Sequence, residues 1–399
     1  MKQDIYNIPE GYKNSPLGII PNEWEVERLG NIVSITSGES PSLYTLTSHG
    51  KYPFIKVEDM NNCEKYQIRS REYSNDEKNI IHKESIIFPK RGAAILNNKV
   101  RIAKVDIQMD SNMMAIKPNN KVLPEYLFYS ITFEQLFRIA DTSTIPQINN
   151  KHINPYKILL PPLNEQRKIA EVLSTWDRAI EKQMLLVEKL ELRKKGLMQQ
   201  LLTGKKRLHG FNGEWKKEKL GKLFDERNET KMPSLPLLSI TADKGVISQT
   251  ESEKKDTSNE DKSKYKRICP GDIGYNTMRM WQGRCALSKL EGIVSPAYTI
   301  VSPHNDVNPF YMEMLFKQPF MVYRFWTHSQ GLVNDTLNCK YPAFSQVKVT
   351  IPKIEEQNAI AEILSFCDKE IALAKQKLDT LRQQKKGLMQ VLLTGKKRI

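Results

Sequence analysis

Apolar side chains recur in alternating steps of four and three residues along two stretches of the chain. The first stretch covers residues 165–202, and the second repeats the pattern within residues 351–399. This spacing puts the apolar positions on one face of an α-helix and is typical of a coiled-coil seam. The seam positions are Ile169, Leu173, Trp176, Ile180, Val187, Leu190, Leu197 and Leu201 in the first stretch, and Ile360, Leu364, Ile371, Leu378, Leu381, Leu388 and Leu392 in the second.

The first predicted helix carries boundary residues at both ends. Pro161 and Pro162 stop any preceding element, and Asn164 is placed to cap the helix. Gly204 stands at the other end, where glycine adopts the left-handed conformation at low cost. An α-helix over residues 165–202 would be roughly 57 Å long.

The two helical stretches are copies of one sequence. Residues 160–208 align with residues 351–399 without a gap, and both end in L-L-T-G-K-K-R. Repeats this long lie outside solenoid periods and indicate two like units related by a pseudo-two-fold axis. Helices related by such an axis run antiparallel if they bury their seams against each other. The alternative is that each helix pairs with a helix of another chain.

The repeat divides the chain into four segments. A globular segment (residues 1–160) precedes one helix (161–208), and a second globular segment (209–350) precedes the other helix (351–399). Both globular segments mix short strand-like runs with helical patches and lack a sustained βαβ alternation, so we expect an α+β fold. Strands are predicted over 52–57, 85–89, 113–117, 266–268 and 292–301, and helices over 125–139 and 309–326.

The net charge of +15 at pH 7 favours a nucleic-acid partner, because Lys and Arg supply the sequence-independent affinity for phosphate. Over half of the excess lies in the two helical segments, where it is concentrated at Lys194 and Lys195, at 205–207 and at their repeats. We expect these side chains to contact phosphates that flank the recognised sites. A solvated helix surface is the alternative.

Several classes of protein are disfavoured. No run of apolar residues approaches the ~18 of a membrane span, and the start of the chain has no signal-like apolar core, so we expect a soluble, cytoplasmic protein. The 5 cysteines form no CxxC pair and the 6 histidines no HxxxH pair. Neither a zinc ribbon nor a disulfide framework is predicted.

Catalytic motifs are weak throughout the chain. A base methyltransferase needs a glycine-rich cofactor loop and an N-P-P-Y-like turn, whereas residues 154–156 and 308–311 lack the second proline. Asp243 with residues 253–255 resembles a nuclease metal site no better than chance allows in so charged a chain. No GxxxxGK[ST] is present. We therefore expect no catalytic residue, no metal site and no cofactor in this chain.

Side chains suited to reading bases cluster in both globular segments. Arg and Lys suit guanine, Asn and Gln suit adenine, and apolar groups suit the thymine methyl. The candidates are Lys90, Arg91, Asn97, Lys99, Arg101, Thr144, Gln147, Asn149 and Asn150 in the first segment, and Arg279, Trp281, Gln282, Arg284, Gln330, Asn334 and Lys340 in the second. For any single residue, a polar turn is the alternative. Because the clusters differ between the segments, they favour two unlike half-sites.

Several motifs resemble the specificity subunit of type I restriction–modification systems. They are P-P-L-N-E-Q-R-K-I-A (161–170), P-K-I-E-E-Q-N-A-I-A (352–361), the L-L-T-G-K-K-R endings, and the openings G-x-I-P-x-x-W (18–24) and G-F-x-x-x-W (210–215). The resemblance covers the whole chain and implies a non-catalytic subunit. The two globular segments would be target recognition domains, each reading half of a bipartite, asymmetric DNA site.

The resemblance also implies partners. The helices would set the gap between the half-sites and dock two methyltransferase subunits that use S-adenosylmethionine to methylate adenine at N6. Added restriction subunits, with ATP and Mg2+, would complete a type I restriction endonuclease.

Two other classes of function compete with this interpretation. A helical scaffold or adaptor would show no salt-sensitive binding to duplex DNA. An independent modification enzyme would bind S-adenosylmethionine by itself, which the missing cofactor loop disfavours.

Overall fold

The computed structural model describes residues 8–241, 244–252, 260–331, 333 and 336–399. The chain forms two compact units: unit 1 comprises Met1–Gln183 and Lys377–Ile399, and unit 2 comprises Met184–Gln376. Each unit therefore combines one globular segment with the first part of one long helix and the last part of the other.

Unit 1 contains a sheet with the strand order β4-β11-β8-β9-β6, and smaller sheets β10-β5-β7, β1-β2 and β3-β12. The strands are β1 (Tyr12–Ser15), β2 (Gly18–Pro21), β3 (Glu25–Arg28), β4 (Val33–Ser37), β5 (Tyr52–Ile55), β6 (Tyr66–Gln67), β7 (Tyr73–Ser74), β8 (Ile86–Pro89), β9 (Arg101–Ala103), β10 (Gln108–Met109), β11 (Met113–Pro118) and β12 (Lys157–Leu160). The helices are α1 (Pro124–Glu134), α2 (Leu136–Ile139), α3 (Asn150–Ile153) and the first part of α4 (Leu163–Leu201).

Strand β8 is buried on both faces of its sheet. Ile86 and Phe88 pack in the main core of unit 1 together with α1, whereas Ile87 packs in a second core with Met113 and Ala115. Successive side chains of a strand point to opposite faces, so a strand covered on both sides needs a continuous apolar run.

Unit 2 repeats this arrangement with the strand order β14-β21-β18-β19 and the pairs β13-β22, β15-β16 and β17-β20. The strands are β13 (Lys216–Lys219), β14 (Phe224–Glu226), β15 (Leu238–Ile240), β16 (Val246–Ser248), β17 (Lys266–Ile268), β18 (Ile273–Asn276), β19 (Cys285–Leu287), β20 (Gly292–Val294), β21 (Tyr298–Pro303) and β22 (Lys348–Ile351). The helices are the last part of α4, α5 (Pro309–Phe316), α6 (Pro319–His328), α7 (Tyr341–Gln346) and the first part of α8 (Ile354–Leu392), whose last part belongs to unit 1. By its place in the sheet, β18 corresponds to β8.

Three predicted elements are each split into two. The helix expected over 125–139 breaks at Gln135, which has a φ of 69°. The helix over 309–326 breaks before Pro319, because proline pushes the preceding residue, Gln318, into an extended conformation. The strand over 292–301 forms β20 and β21, separated by a turn that contains Pro296, which cannot donate a ladder hydrogen bond.

The first long helix differs from the predicted 165–202 by two residues at its start and one at its end. Helix α4 begins at Leu163, so Asn164 lies inside the first turn instead of capping it. Its Oδ1 accepts a hydrogen bond from the backbone N–H of Glu165 at 2.9 Å. The predicted glycine ends are confirmed, since Gly204 and Gly395 both have a φ of 70° beyond their helices.

The seam prediction and the antiparallel prediction are confirmed. Every predicted seam residue is buried or half-buried. Within unit 1, Asp177 of α4 pairs with Lys385 of α8, and within unit 2, Lys194 of α4 lies 2.5 Å from Asp368 of α8. An early position on one helix thus meets a late position on the other in each unit. The helices pair with each other, so a helix of another chain is not needed.

In the part of the chain that the structure describes, no helix is both long enough and apolar enough to cross a membrane.

Candidate nucleic-acid interface

Two separate candidate clusters of unit 1 meet at the end of β8. The backbone N–H of Ile148 donates to the carbonyl of Lys90 at 2.9 Å, and the N–H of Gly92 donates to the carbonyl of Pro146 at 2.9 Å. These bonds place Arg91 opposite Gln147 in an isolated β-bridge. The side chain of Arg91 is exposed and that of Gln147 is half-buried.

The loop before α3 is closed by its own backbone. Asp141 and Gln147 exchange N–H···O=C bonds of 2.9 and 3.0 Å, and Thr144 is exposed on the loop between them. Asn149 caps α3, and its backbone N–H donates to Nδ1 of His152 at 3.1 Å. Asn149 and Asn150 are both exposed. We call residues 90–92 together with residues 141–150 the unit 1 surface.

Three candidates from the first segment do not join this surface. Asn97 is exposed and Lys99 half-buried in the turn before β9. Arg101 is committed to the fold, because its guanidinium donates to the carbonyls of Val100 at 2.8 Å and Met60 at 2.9 Å. Its Nε is buried without a partner. Arg101 therefore has no guanidinium edge free for a base.

Two of the backbone pairings of the unit 1 surface have counterparts in unit 2. The N–H of Cys339 donates to the carbonyl of Thr277 at 2.9 Å, just beyond β18, and Gln330 and Asn338 exchange bonds of 2.9 and 2.8 Å. Lys340 is exposed and caps α7. Asn334 lies outside the described residues. We call residues 277–284 together with the described residues of 330–340 the unit 2 surface.

A short 3-10 helix, Met280–Gln282, presents the other candidates of unit 2. Arg279, Gln282 and Arg284 are exposed. Trp281 is half-buried, and its indole N–H donates to the carbonyl of Met278 at 2.9 Å. The turn needs Gly283, whose φ is +71° and whose added Cβ would come within 2.9 Å of Val322. The glycine thus lets the 3-10 helix pack against α6.

The unit 1 surface is not uniformly positive. Burial, together with the nearby charge of Arg91, lowers the pKa of Lys90. The pKa of Asp141 is lowered because the N–H of Ser143 donates to its carboxylate at 3.0 Å. A carboxylate thus stays ionised beside exposed amide and guanidinium groups. Such a mixture suits base edges, which present both donors and acceptors.

The weak catalytic motifs serve as turns. Asn308 caps α5 by accepting a hydrogen bond from the N–H of Tyr311 at 2.8 Å. Tyr156 donates to Glu134 at 2.8 Å, and its carbonyl accepts from Leu29 at 2.8 Å. Asp243 and residues 253–255 lie outside the described residues. Among the residues that are described, no group of three His, Cys, Asp or Glu side chains could hold a metal ion.

The basic endings of the helices divide into structural and exposed residues. Arg398 binds the buried Glu165 through two hydrogen bonds of 2.8 and 3.1 Å, and Arg207 binds the buried Glu356 through two of 2.6 and 2.7 Å. These arginines therefore hold the fold together. The lysines that precede them are exposed: Lys205, Lys206, Lys396 and Lys397.

The glutamines of the N-E-Q and E-E-Q motifs anchor the recognition segments. The side chain of Gln166 accepts from the N–H of Leu123 at 2.9 Å, just before α1. Gln357 accepts from Asn308 at 2.9 Å, just before α5. In the sequence, these glutamines indicated only the family resemblance and predicted no structural role. Their equal spacing from the helix starts was the available signal for a structural role.

Comparison with known proteins points to one family. A model of the type I restriction modification DNA specificity domain family matches residues 21–189 and again residues 212–383. Two relatives from Methanocaldococcus jannaschii match almost the whole chain. The type I restriction enzyme MjaVIII specificity subunit is 26% identical over 95% of this chain and 94% of its own length. The putative type I restriction enzyme MjaX specificity subunit is 28% identical over 98% and 97%.

Two solved structures share the fold. The S subunit of a type I restriction–modification system from M. genitalium superposes with a TM-score of 0.56 at 16% identity, over 93% of this chain and 96% of its own. A chain from a structure concerned with complex assembly and conformational transition of the type I R-M system gives 0.60 at 17% identity, over 94% and 99%.

Proposed function

This chain belongs to the type I restriction modification DNA specificity domain family, and we propose that its two units read the two halves of a bipartite, asymmetric DNA site. The proposal rests on an arrangement of backbone hydrogen bonds that occurs in both units but presents different side chains in each. Ile148 bonds to Lys90 in unit 1 as Cys339 bonds to Thr277 in unit 2. A common frame with unlike polar groups provides two readers for two different sequences.

Residues of both surfaces have chemistry suited to base edges. Arg91 in unit 1 would donate to O6 and N7 of guanine, as would Arg279 and Arg284 in unit 2. Gln147 and Asn149 would pair with N6 and N7 of adenine. Other residues of the two surfaces, and the exposed lysines of the helix endings, would contact phosphates and set the register without reading sequence.

The long helices would connect the two readers and carry the partners. Type I specificity subunits are non-catalytic components, so the chemistry belongs to other subunits. We propose that the helices set the gap between half-sites and dock two methyltransferase subunits, which would bind S-adenosylmethionine and methylate adenine at N6. Restriction subunits would add ATP and Mg2+ and complete a type I endonuclease. The complex would act in the cytoplasm, where the chromosome lies.

A segment exchange tests the assignment of half-sites. Residues 1–160 of this chain are replaced by those of a relative, and the methylated motif is mapped by methylome sequencing with the methyltransferase partner present. We expect one half of the motif to change and the other to persist. A change in both halves would contradict the assignment.

Point variants test the surfaces themselves. Arg91→Ala should relax recognition in one half of the motif and Arg279→Ala in the other, each with a loss of about 1–3 kcal/mol. Lys206→Ala, on an exposed helix ending, is the matched control and should weaken binding equally for all sequences.

A scaffold or adaptor without DNA readout would behave differently. The chain by itself would show no salt-sensitive binding to duplex DNA, and its complex would not prefer the motif over scrambled duplexes. For a DNA reader, we expect log affinity to fall linearly with log salt concentration.

A further inference from the structure

Ile145 is the most exposed of the large apolar side chains that the structure describes, with 70% of its surface accessible. Single exposed apolar residues are common on proteins and need no explanation by themselves. The position of Ile145 is what requires one. It lies on the loop of the unit 1 surface, between Thr144 and Pro146, directly after the polar residues 141–144.

The backbone around Ile145 is held firmly although its side chain is free. Asp141 and Gln147 close the loop, and the carbonyl of Pro146 accepts from Gly92 at 2.9 Å. A residue that precedes proline is restricted to extended conformations. A β-branched side chain also has few rotamers. Ile145 would therefore lose little conformational entropy on making a contact.

Unit 2 has an apolar residue in the corresponding loop. Between Gln330 and Asn338, which exchange backbone bonds as Asp141 and Gln147 do, Val333 is 61% exposed. Both residues are β-branched and neither joins a core cluster. An exposed β-branched residue thus lies in this loop in both units, although the two loops differ in length and in their polar residues.

The neighbours of Ile145 identify its ligand. Arg91 and Gln147 flank the loop and suit guanine and adenine, and Ile145 adds an apolar group beside them. The C5-methyl of thymine is the apolar group that a base pair presents in the major groove. We propose that Ile145 contacts the C5-methyl of a thymine in the half-site read by unit 1. This inference rests on the proposed DNA-reading function and adds the base class that one residue selects.

The test removes the methyl group from the DNA. The full chain is purified with its methyltransferase partner, and each thymine of the half-site assigned to unit 1 is replaced in turn by uracil, which lacks the methyl. We expect the dissociation constant to rise roughly three- to tenfold at one position, as the loss of one buried methyl group implies. In Ile145→Ala, thymine and uracil at that position should bind equally.

Two controls separate a specific contact from a general effect. Ile68→Ala removes another exposed isoleucine of unit 1, which is 49% exposed, and should keep the wild-type sensitivity to uracil. Ile145→Val keeps a β-branched apolar side chain and should retain most of it. Because Ile145 is exposed, all variants should keep the wild-type melting temperature.

The possible failures are distinguishable. The inference on Ile145 is overturned if the half-site contains no thymine, if uracil has no effect at any position, or if Ile145→Ala remains sensitive. Failure of the wild-type complex to prefer its motif over scrambled DNA would instead overturn the proposed function.

Discussion

Lys194 and Asp368 join the two long helices within unit 2, with 2.5 Å between Nζ and Oδ1. Their counterparts in the repeat, Lys385 and Asp177, form the same pair within unit 1. Each lysine follows the four-and-three spacing of the seam, where it is partly desolvated and needs a carboxylate. The surroundings of the two pairs differ. In unit 1, Lys65 lies 3.8 Å from Asp177.

Asp177→Ala should cost more stability than Asp368→Ala. The side chain of Asp177 is 16% exposed and that of Asp368 is 44% exposed. Tyr129 also donates to Asp177. Loss of the Asp177 carboxylate would leave Lys65 and Lys385 without this counterion. We expect losses of about 3 kcal/mol for Asp177→Ala and about 1 kcal/mol for Asp368→Ala. Hydrogen exchange in each unit would measure them, and equal losses would contradict the prediction.

Arg398→Ala should destabilise unit 1 by about 2–3 kcal/mol, because it leaves the buried carboxylate of Glu165 without its cation. Trp24 would remain as a donor, at 3.0 Å from that carboxylate. Thermal unfolding is the measurement. The double variant Arg398→Ala with Glu165→Gln should recover part of the loss, since no buried charge remains. No recovery would argue that Arg398 acts through packing alone.

A circular permutant should fold and direct methylation to the same motif. Arg398 lies 2.5 Å from Glu23, and Nζ of Lys168 lies 3.4 Å from the carbonyl of Ile399. These contacts are expected if the repeat is cyclic, so that the second helix is followed in space by the first globular segment. The permutant joins Ile399 to Met1 through a flexible linker and opens the chain after His209, which is exposed. Circular dichroism and methylome sequencing would check it.

A second permutant, opened inside the buried strand β18, is the negative control and should not fold. If the first permutant also fails with linkers of several lengths, the repeat is sequential and not cyclic.

Removing one heptad from each long helix should shorten the gap between the two DNA half-sites. Residues 184–190 of α4 and residues 372–378 of α8 lie between the two Lys–Asp pairs, and deleting both keeps the seam in phase. We expect a gap shorter by about 10 Å, or roughly three base pairs, in the methylated motif. Deletion from α4 alone leaves α8 longer between the same pairs and should impair folding. A folded double deletion with an unchanged gap would contradict the spacer role.

Cys285 and Cys339 should make unit 2 sensitive to alkali. Burial raises the pKa of both thiols to about 12 from an ordinary value of 9.0. Above pH 9 the unfolded thiols lose protons that the folded thiols retain. Their contribution to stability, fully present below pH 9, therefore falls by about 1.4 kcal/mol per pH unit for each thiol.

Urea unfolding from pH 8 to pH 11 measures this effect. Cys285→Ala should be less stable at pH 8 but should lose stability less steeply above pH 9. Parallel curves for the variant and the wild type would contradict the assignment.

Features with a local cause were predictable from the sequence. The two long helices follow from the four-and-three spacing of apolar residues, and their ends follow from Gly204 and Gly395, because each signal acts within a few residues. The gap-free repeat added one long-range fact, since two like helices with a pseudo-two-fold axis pair antiparallel. The strands were placed well where apolar runs are continuous, as at residues 113–117. The strand predicted over 292–301 is instead two strands, because Pro296 interrupts it.

The tertiary structure decided which polar residues share a surface. Arg91 meets Gln147 because β8 and the loop before α3 pair through backbone hydrogen bonds, and no periodicity in the sequence encodes that pairing. Arg101 looked like a base reader but is held by the carbonyls of Val100 and Met60. The sequence determined which chemical groups are available. The long-range backbone pairing determined which of them are exposed together, because hydrogen bonds between distant segments form only in the folded chain.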